Sequence, residues 1–240
     1  MSLEVNQFRL AAQGRRGGAG PHARRVRGPK RPASAPVAGA SACPATSGLK
    51  RGLDFAVAAA ALLVLAPLLL LIALVVRLET PGPALFSQRR GGLGGKPFVI
   101  YKFRTMDVRE DGDTIRHATR LDPRVTGFGA FLRKTSIDEL PQLINVLKGD
   151  MSLVGPRPHA LAHDEYYGEK IPAYAERLTV KPGLTGLAQV SGLRGEILGL
   201  DCMARRVAAD LDYIRSWSVM LDLKLLVLTL TRAPFDERAY

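Results

Sequence analysis

The stretch FAVAAAALLVLAPLLLLIALVV, residues 55–76, decides the fold because it is far more apolar than an ordinary helix of a soluble domain. Its 22 residues carry no charge. At about 1.5 Å per residue, a straight helix of this length could span the hydrocarbon core of a bilayer. The run is too long, and begins too far from the N-terminus, for a secretory signal peptide. A buried core helix is the alternative, but apolar residues on every side of the helix favour a membrane segment.

Pro67 lies at the middle of this run and predicts a break in the helix. Proline lacks the backbone donor that a helix interior needs, and its ring clashes with the preceding turn. Both flanks are positive, since Lys50 and Arg51 precede the run and Arg77, Arg89 and Arg90 follow it. Positive residues mark the cytoplasmic side of a membrane. A kinked helix that enters and leaves by the cytoplasmic face satisfies both observations, so we predict a re-entrant, helix-break-helix hairpin over residues 48–80.

Residues 1–47, which precede the hairpin, are rich in Gly, Ala, Arg, Pro and Ser. They hold eight Lys or Arg residues against one acidic residue, Glu4, so more than half of the net charge of +12 lies here. Such a composition cannot bury enough apolar surface to offset the entropy of ordering. We therefore predict a disordered basic tail near an anionic membrane surface. Cys43 and Cys202 are far apart in sequence and provide no disulfide framework or CxxC metal site.

The segment after the membrane run predicts a short β-hairpin. Two strand-like stretches, ALFSQRR and FVIYKFRTM, flank the Gly-rich turn GGLGGKP. In the second stretch Lys102 and Arg104 alternate with Tyr101 and Phe103, so a period of two places both cations on one face. An ordinary solvated strand face has the same pattern, and this segment alone leaves both interpretations open. Amphipathic helices follow, so the expected class for residues 81–240 is α+β.

The segment RKTSIDELPQLINVLKGDMSLVGPRP, residues 133–158, places two adjacent carboxylates, Asp138 and Glu139, before a helical pattern. One alternative is that Glu139 completes a capping box with Ser136. That register puts Pro141 where the helix needs its missing donor, so a start at Asp138 or Glu139 is favoured. Both carboxylates then lie at the helix N-terminus, whose dipole they could simply balance. The apolar face expected of this helix consists of Leu140, Leu143, Ile144 and Leu147.

Nearby arginines favour a site for an anionic substrate over capping. Arg133 lies five residues upstream of Asp138, and Arg157 stands between Pro156 and Pro158 in a stiff turn. Its guanidinium is a planar fork that matches phosphate oxygens. A nucleophilic carboxylate beside a metal-binding one suits phosphoryl transfer, because attack on phosphorus forms an acyl phosphate and Mg²⁺ takes one or two carboxylates plus substrate phosphates.

Taken together, these segments resemble the bacterial sugar transferase family, the monotopic polyprenol-phosphate phosphoglycosyltransferases. The similarity runs from about Lys50 to the C-terminus. It rests on KRGLD, YKFRTM, DPRVTGFGAFLRKTSIDELPQLINVLKGDMSLVGPRP, VKPGLTGLAQVSG and DLDYIRSWSVMLDLK. The tracts RPHALAHDEYY and SGLRGE resemble the branch that moves hexose 1-phosphate, often glucose 1-phosphate, to start exopolysaccharide synthesis. The resemblance implies a re-entrant membrane helix, a bound Mg²⁺ and an aspartyl-phosphosugar intermediate.

The resemblance also implies a role for each residue of the candidate site. Asp138 matches the nucleophile, Glu139 its metal-associated neighbour, and Arg133 the arginine upstream of the pair. The cations expected to bind substrate phosphate are Lys102, Arg104 and Arg157. The expected enzyme transfers a sugar 1-phosphate from a UDP-sugar, with UDP-glucose the first expectation, to polyprenol (undecaprenyl) phosphate and releases UMP. Its expected location is the cytoplasmic face of the bacterial inner membrane.

Two alternative functions belong to other classes, and a zinc site is a separate alternative. A membrane-docked module that binds anions without chemistry would use the same anchor, but it gains nothing from two acids in its site. A nucleic-acid binder would use the arginines of the tail, but the membrane run and the lack of a recognisable binding fold disfavour it. A zinc site at His159 and His163 has the right spacing but no third ligand nearby in the sequence. A homo-oligomer is left open.

Overall fold

The computed structural model describes residues 43–107, 122–195, 197 and 199–232. Most of the predicted basic tail, residues 1–47, therefore lies outside the described residues. The described part mixes helices with short strands, which agrees with the expected α+β class. The helices are α1 (Gly48–Glu79), α2 (Gly127–Thr135), α3 (Gln142–Lys148), α4 (Leu161–Lys170), α5 (Leu187–Val190), α6 (Leu200–Arg215) and α7 (Val219–Arg232). The strands are β1 (Leu85–Gly91), β2 (Pro97–Phe103), β3 (Ser152–Val154) and β4 (Gly183–Thr185).

Helix α1 contains the apolar run and is continuous. Ser47 caps its N-terminus, because the Ser47 hydroxyl accepts a hydrogen bond from the Lys50 amide at 3.2 Å. Pro67 lies inside the helix, which continues through it as far as Glu79. The helix-break-helix form expected from the proline is therefore not seen. Among the described residues, α1 is the helix that is long and apolar enough to cross a membrane.

One stripe of α1 packs against the rest of the domain on both sides of Pro67. Before the proline, Ala58 belongs to a buried cluster that includes Val146 of α3. After it, Ile72 belongs to a second buried cluster with Phe103 of β2. Because the helix is held at both ends, the loss of one backbone hydrogen bond at the proline does not interrupt it. The apolar side chains that stay exposed include Leu63, Val64, Leu70, Leu71 and Leu74.

The predicted hairpin is confirmed as strands β1 and β2, which pair antiparallel with Leu85 opposite Phe103. The turn between them includes Gly94 at a φ of 65°, a conformation that glycine adopts without steric cost. A second pair is parallel and joins β3 to β4, with Val154 opposite Thr185. Strand β3 runs directly into the GPRP segment, so this parallel pair fixes where that segment begins.

Helix α3 follows the carboxylate pair and buries only part of the face that its apolar residues predicted: Leu143 lies in the core and Leu147 packs against it. Ile144 is exposed, whereas Asn145 is fully buried. The Asn145 side chain bridges strand β2, because Oδ1 accepts from the Tyr101 amide at 3.1 Å and Nδ2 donates to the Val99 carbonyl at 2.6 Å. Buried polar groups need such partners, and apolar periodicity alone does not reveal them. The bridge fixes α3 against the hairpin.

The N-terminal end of α1 joins α7 through buried polar contacts. Lys50 Nζ donates to Asp222 Oδ2 at 2.6 Å and to the Val154 carbonyl at 3.1 Å. Asp222 also accepts from the Tyr213 hydroxyl at 2.8 Å and from Trp217 Nε1 at 3.0 Å. The charge that the sequence places beside the membrane run is therefore buried in the domain, and it ties α1 to the C-terminal helices.

Candidate active site

The carboxylate pair lies on a tight turn between α2 and α3. Ser136, which ends α2, has a left-handed backbone with a φ of 58°. This conformation directs the chain into a single 3₁₀ turn, Ile137–Glu139, so the carboxylates precede α3 instead of starting it. Pro141 occupies the N-cap of α3, where no backbone donor is required. Asp138 and Glu139 are both buried, with 8% and 7% of their surface exposed.

Glu139 is held by two cations. Lys102 Nζ donates to Glu139 Oε1 at 2.7 Å. Arg157 makes a two-pronged contact, with Nη2 at 2.5 Å from Oε1 and Nη1 at 3.0 Å from Oε2. Burial alone would raise the pKa of this carboxyl, but the charges and hydrogen bonds of Arg157 and Lys102 outweigh burial and hold the pKa well below its usual range. Glu139 is therefore ionised at neutral pH.

Asp138 differs from its neighbour because no described residue donates a hydrogen bond to its carboxylate. Burial raises the pKa of this carboxyl to about 6, and the charge of Glu139 acts in the same direction. Lys102, Arg157 and Arg133 lower the pKa without cancelling that rise. The group is therefore mostly ionised at pH 7, and its oxygen lone pairs remain available to an incoming group.

Arg133 contributes charge to the pair from a fixed position. Its Nε donates to Thr105 Oγ1 at 2.9 Å, and its Nη2 lies 3.2 Å from Met106 Sδ. The Arg133 charge lowers the pKa of Asp138, which places it near that carboxyl. Of the residues predicted from the sequence, the structure brings together Lys102, Arg133, Asp138, Glu139 and Arg157.

Arg104 is the predicted phosphate-binding residue that the structure separates from this group. It is buried, and its guanidinium donates to the carbonyls of Val76 at 3.2 Å, Thr80 at 2.6 Å and Pro81. These carbonyls lie at the end of α1, where helices leave acceptors without partners. The expected alternation with Lys102 fails because β2 ends at Phe103. Arg104 therefore completes the end of the apolar helix.

Arg90, which the sequence analysis names as a positive flanking residue but not as a site residue, borders the site. Its Nη1 lies 3.5 Å from the Pro158 carbonyl, one residue beyond Arg157. Burial lowers the pKa of Arg90 to about 10, the charge of Arg157 adds to this, and Glu139 opposes it. The signal that could have found it is its position at the end of β1, where a cation directly precedes the Gly-rich turn.

The two histidines considered as zinc ligands have other surroundings. His159 is buried, and its Nδ1 lies 2.7 Å from the Tyr174 hydroxyl. The ring of His163 is 6.4 Å from that of His159, centroid to centroid. Within the described part of the chain, no group of three or more potential metal ligands is found. The zinc alternative gains no support from this arrangement.

A sequence profile of bacterial sugar transferases matches residues 45–235 of the chain. The chain belongs to the bacterial sugar transferase family. The match covers α1 and all the segments on which the predicted resemblance rests, and it includes the carboxylate pair. The family that the sequence motifs of this sugar transferase predicted is thereby confirmed.

Three curated relatives show which branch of the family is most similar. The UDP-glucose:undecaprenyl-phosphate glucose-1-phosphate transferase of Caulobacter vibrioides is 58% identical over 191 residues, or 80% of this chain and 72% of that protein. The protein of the same name from Escherichia coli is 52% identical over 80% of this chain, but over only 41% of its own length. The exopolysaccharide production protein PSS of Rhizobium leguminosarum is 45% identical over 74% of this chain and 91% of that protein. The predicted hexose-1-phosphate branch agrees with these relatives.

The donors in this sugar transferase site fit a magnesium ion. Mg²⁺ takes one or two carboxylates and completes its coordination with water and substrate phosphates. Asp138 and Glu139 supply adjacent hard oxygen donors, and no described residue donates a hydrogen bond to Asp138. Glu139 Oε2 accepts one hydrogen bond, from Arg157, and keeps a further lone pair. Glu139, with Asp138 beside it, is thus the residue that would hold the ion.

Proposed function

We propose that this sugar transferase moves glucose 1-phosphate from UDP-glucose to undecaprenyl phosphate, releases UMP and so starts the synthesis of an exopolysaccharide. The names of the Caulobacter and Escherichia relatives support the donor and the acceptor, and the name of the Rhizobium relative supports the product. One observation carries the chemistry. The buried carboxylate of Asp138 accepts no hydrogen bond from the described residues, and it lies beside Glu139, which two cations hold in place.

In the first half-reaction the Asp138 carboxylate attacks the β-phosphorus of UDP-glucose. A bond forms between an Asp138 oxygen and this phosphorus, and the bond from the phosphorus to the bridging oxygen breaks. UMP leaves with the bridging oxygen. In the second half-reaction a phosphate oxygen of undecaprenyl phosphate attacks the same phosphorus, and Asp138 leaves as a carboxylate. The protein is restored, and the lipid carries glucose through a diphosphate.

The charges around the pair suit a diphosphate substrate. The cationic side chains that surround the two carboxylates are Arg90, Lys102, Arg133 and Arg157. Their positive charges exceed the negative charges of the two carboxylates by about two. The two negative charges of a nucleotide-sugar diphosphate would balance this excess. Arg157 is the more accessible partner of Glu139, with 33% of its side chain exposed against 19% for Lys102. Its fork is therefore well placed to receive phosphate oxygens.

Mg²⁺ is part of the proposal, with Glu139 as its ligand. Such an ion, when bound, would neutralise charge on the diphosphate. The chain itself binds phosphate oxygens through Arg157 and Lys102, and it keeps Asp138 out of bulk water by burial. We expect a chelator of divalent ions to stop UMP release and added Mg²⁺ to restore it. Full activity in excess chelator would contradict this role of Glu139.

The proposed location is the cytoplasmic face of the bacterial inner membrane, with both ends of α1 on that side. Ala58 and Ile72, on either side of Pro67, both pack into clusters of the same domain. A helix that crossed the bilayer would carry one of these ends away from the domain. The exposed leucines of α1 would then contact lipid.

Cysteine labelling tests this topology. Leu49→Cys and Leu78→Cys introduce thiols at exposed positions near the two ends of α1. Cys43 is also exposed and is first replaced by Ser. In intact cells both new thiols should resist an impermeant reagent and react only after the membrane is opened. Labelling of one thiol from outside would show that α1 crosses the bilayer.

Product analysis tests the activity. Membranes that contain the full chain are incubated with undecaprenyl phosphate and, in turn, UDP-glucose, UDP-galactose or UDP-N-acetylgalactosamine. UMP release should be fastest with UDP-glucose and should be matched by a glucosyl-diphosphate lipid. A protein that binds UDP-glucose but releases no UMP with any of these sugars would instead be the anion-binding module without chemistry.

A further inference from the structure

The GPRP segment, residues 155–158, carries Arg157 and is held through its backbone. The Pro156 carbonyl accepts from the Gly183 amide at 2.9 Å. The Arg157 carbonyl is different, because its partner is a side chain: Arg177 Nη2 donates to it at 2.5 Å. The Arg177 side chain therefore fixes the orientation of the peptide between Arg157 and Pro158. The guanidinium of the same Arg157 contacts Glu139 of the carboxylate pair.

The peptide that joins Arg157 to Pro158 depends on this contact more than an ordinary peptide would. Proline has no backbone N–H, so the carbonyl is the one group of this peptide that can form a strong hydrogen bond. The ring of Pro158 restricts Arg157 to extended conformations, but it still leaves ψ a range of about 40°. The hydrogen bond from Arg177 narrows that range. It thereby sets the orientation of the Cα–Cβ bond from which the Arg157 side chain extends.

Arg177 is itself fixed by a buried acid. It is 2% exposed, and its Nε and Nη2 both lie 2.9 Å from Oδ2 of Asp210, which is 3% exposed on α6. Its Nη1 lies 3.0 Å from His159 Nδ1. Removing two charges from water is costly, and replacing a buried pair by apolar residues is often neutral or stabilising. Stability alone is therefore a weak reason for this pair.

We infer that Arg177 is a positioning residue, which with Asp210 fixes the backbone of Arg157 and so aims the Arg157 fork at Glu139 and at the substrate phosphate. The inference rests on the proposed function, because it concerns how the substrate is held. Within the described residues, Arg177 makes no hydrogen bond to Asp138 or Glu139, so it acts through Arg157. Its effect should accordingly depend on whether Arg157 is present.

A double-mutant cycle on the full chain in lipid nanodiscs tests this dependence. Arg157→Lys removes the fork. Arg177→Lys keeps a positive charge beside Asp210 but lacks the planar group that reaches both the acid and the carbonyl. The rate of the UMP burst is measured over a range of UDP-glucose concentrations. Arg177→Lys should slow the burst about tenfold in the wild-type background, since small misplacements are costly, and less than about twofold in the Arg157→Lys background.

Equal factors in the two backgrounds would overturn the inference. Arg51→Lys is the matched control, because Arg51 also donates to backbone carbonyls, those of Val146 at 2.5 Å and Leu147 at 2.8 Å. The factor by which Arg51→Lys slows the burst should be the same with and without Arg157→Lys. Coupling between Arg51 and Arg157 as strong as that between Arg177 and Arg157 would also overturn the inference. If Arg177→Lys does not unfold cooperatively, Asp210→Asn replaces it under the same criterion.

Equilibrium binding separates this inference from the proposed function. The same cycle is measured as UDP-glucose affinity in the Asp138→Asn background, where no turnover is expected. If the wild-type chain releases no UMP, the proposed function fails, yet coupled losses of affinity at Arg157 and Arg177 would still support the inference. Independent losses, or no binding of UDP-glucose at all, would contradict it.

Discussion

Asp138 and Asp222 are both buried aspartates, with 8% and 9% of their surface exposed, but their surroundings differ. Asp222 accepts hydrogen bonds from Lys50, Tyr213 and Trp217 at 2.6 to 3.0 Å. Asp138 accepts none from the described residues. Burial of a charge is expensive, so a buried carboxylate normally has partners that stabilise it. Asp222 therefore ties elements of the fold together, whereas Asp138, which accepts no hydrogen bond from the described residues, is the proposed nucleophile.

The largest expected effect is that of Asp138→Asn on activity. The amide keeps the size of the side chain but removes the attacking oxyanion, so the UMP burst should fall at least about a thousandfold. The burst is measured with UDP-glucose and without lipid acceptor, and the wild-type protein should also gain the mass of a phosphoglucosyl group.

The stability of the same variant serves as its control. Because no described residue donates to the Asp138 carboxylate, the thermal midpoint of Asp138→Asn should equal that of the wild type or exceed it. If the aspartate merely capped the following helix, the variant would be nearly silent, since Asn caps about as well as Asp. Near-normal turnover in a folded, membrane-bound Asp138→Asn protein would rule out the nucleophile.

Asp222→Ala should give the opposite result. It leaves the Lys50 charge buried without its acid, which costs about 3–5 kcal/mol of unfolding free energy. Thermal or denaturant unfolding in nanodiscs measures this loss. Activity per folded molecule should change much less than in Asp138→Asn, because Asp222 contacts α1 and the C-terminal helices and not the carboxylate pair. A stable Asp222→Ala protein without activity would break the comparison.

Local patterns in the sequence were enough for some of these features. The apolar run fixed the position of α1 by its length, and the Gly-rich turn fixed the hairpin. The adjacent acids and the GPRP arginine predicted a cluster that the structure does bring together, because its central groups lie within residues 133–158. The structure shows in addition which of the two carboxylates has hydrogen-bond partners. This depends on Lys102, which lies 37 positions from Glu139 in the sequence.

Other features depend on contacts that no local pattern contains. Pro67 predicted a break, but packing on both sides of it keeps α1 continuous. Arg104 shares the period of Lys102, yet it follows the last residue of β2 and meets the end of α1 instead. Arg177 lies 20 positions from the carbonyl that it holds. In each case the deciding partner comes from a distant element.

The pH dependence sharpens the assignment of Asp138. Its pKa is raised to about 6, and the attacking form is the ionised one. The burst should therefore be near its maximum above about pH 7 and fall about tenfold at a pH one unit below the pKa. Glu139→Gln removes a charge that raises this pKa, so the midpoint of the profile should move to lower pH. A midpoint that stays fixed or rises would show that another group controls the rate.

The smallest expected effect on catalysis is that of Arg104→Lys. A lysine offers one ammonium in place of a fork, so it cannot serve three carbonyls at the end of α1 equally well, and a loss of about 1–2 kcal/mol in stability is expected. The half-saturating UDP-glucose concentration should change less than about twofold, because the guanidinium donates its hydrogen bonds to carbonyls at the end of α1.

Lys102→Met is the matched comparison: it removes a cation that contacts Glu139, and it should weaken UDP-glucose binding markedly. If Arg104→Lys weakens that binding as much as Lys102→Met does, Arg104 contacts the substrate. The distinction between residues that stabilise the fold and residues that serve the reaction would then fail at Arg104.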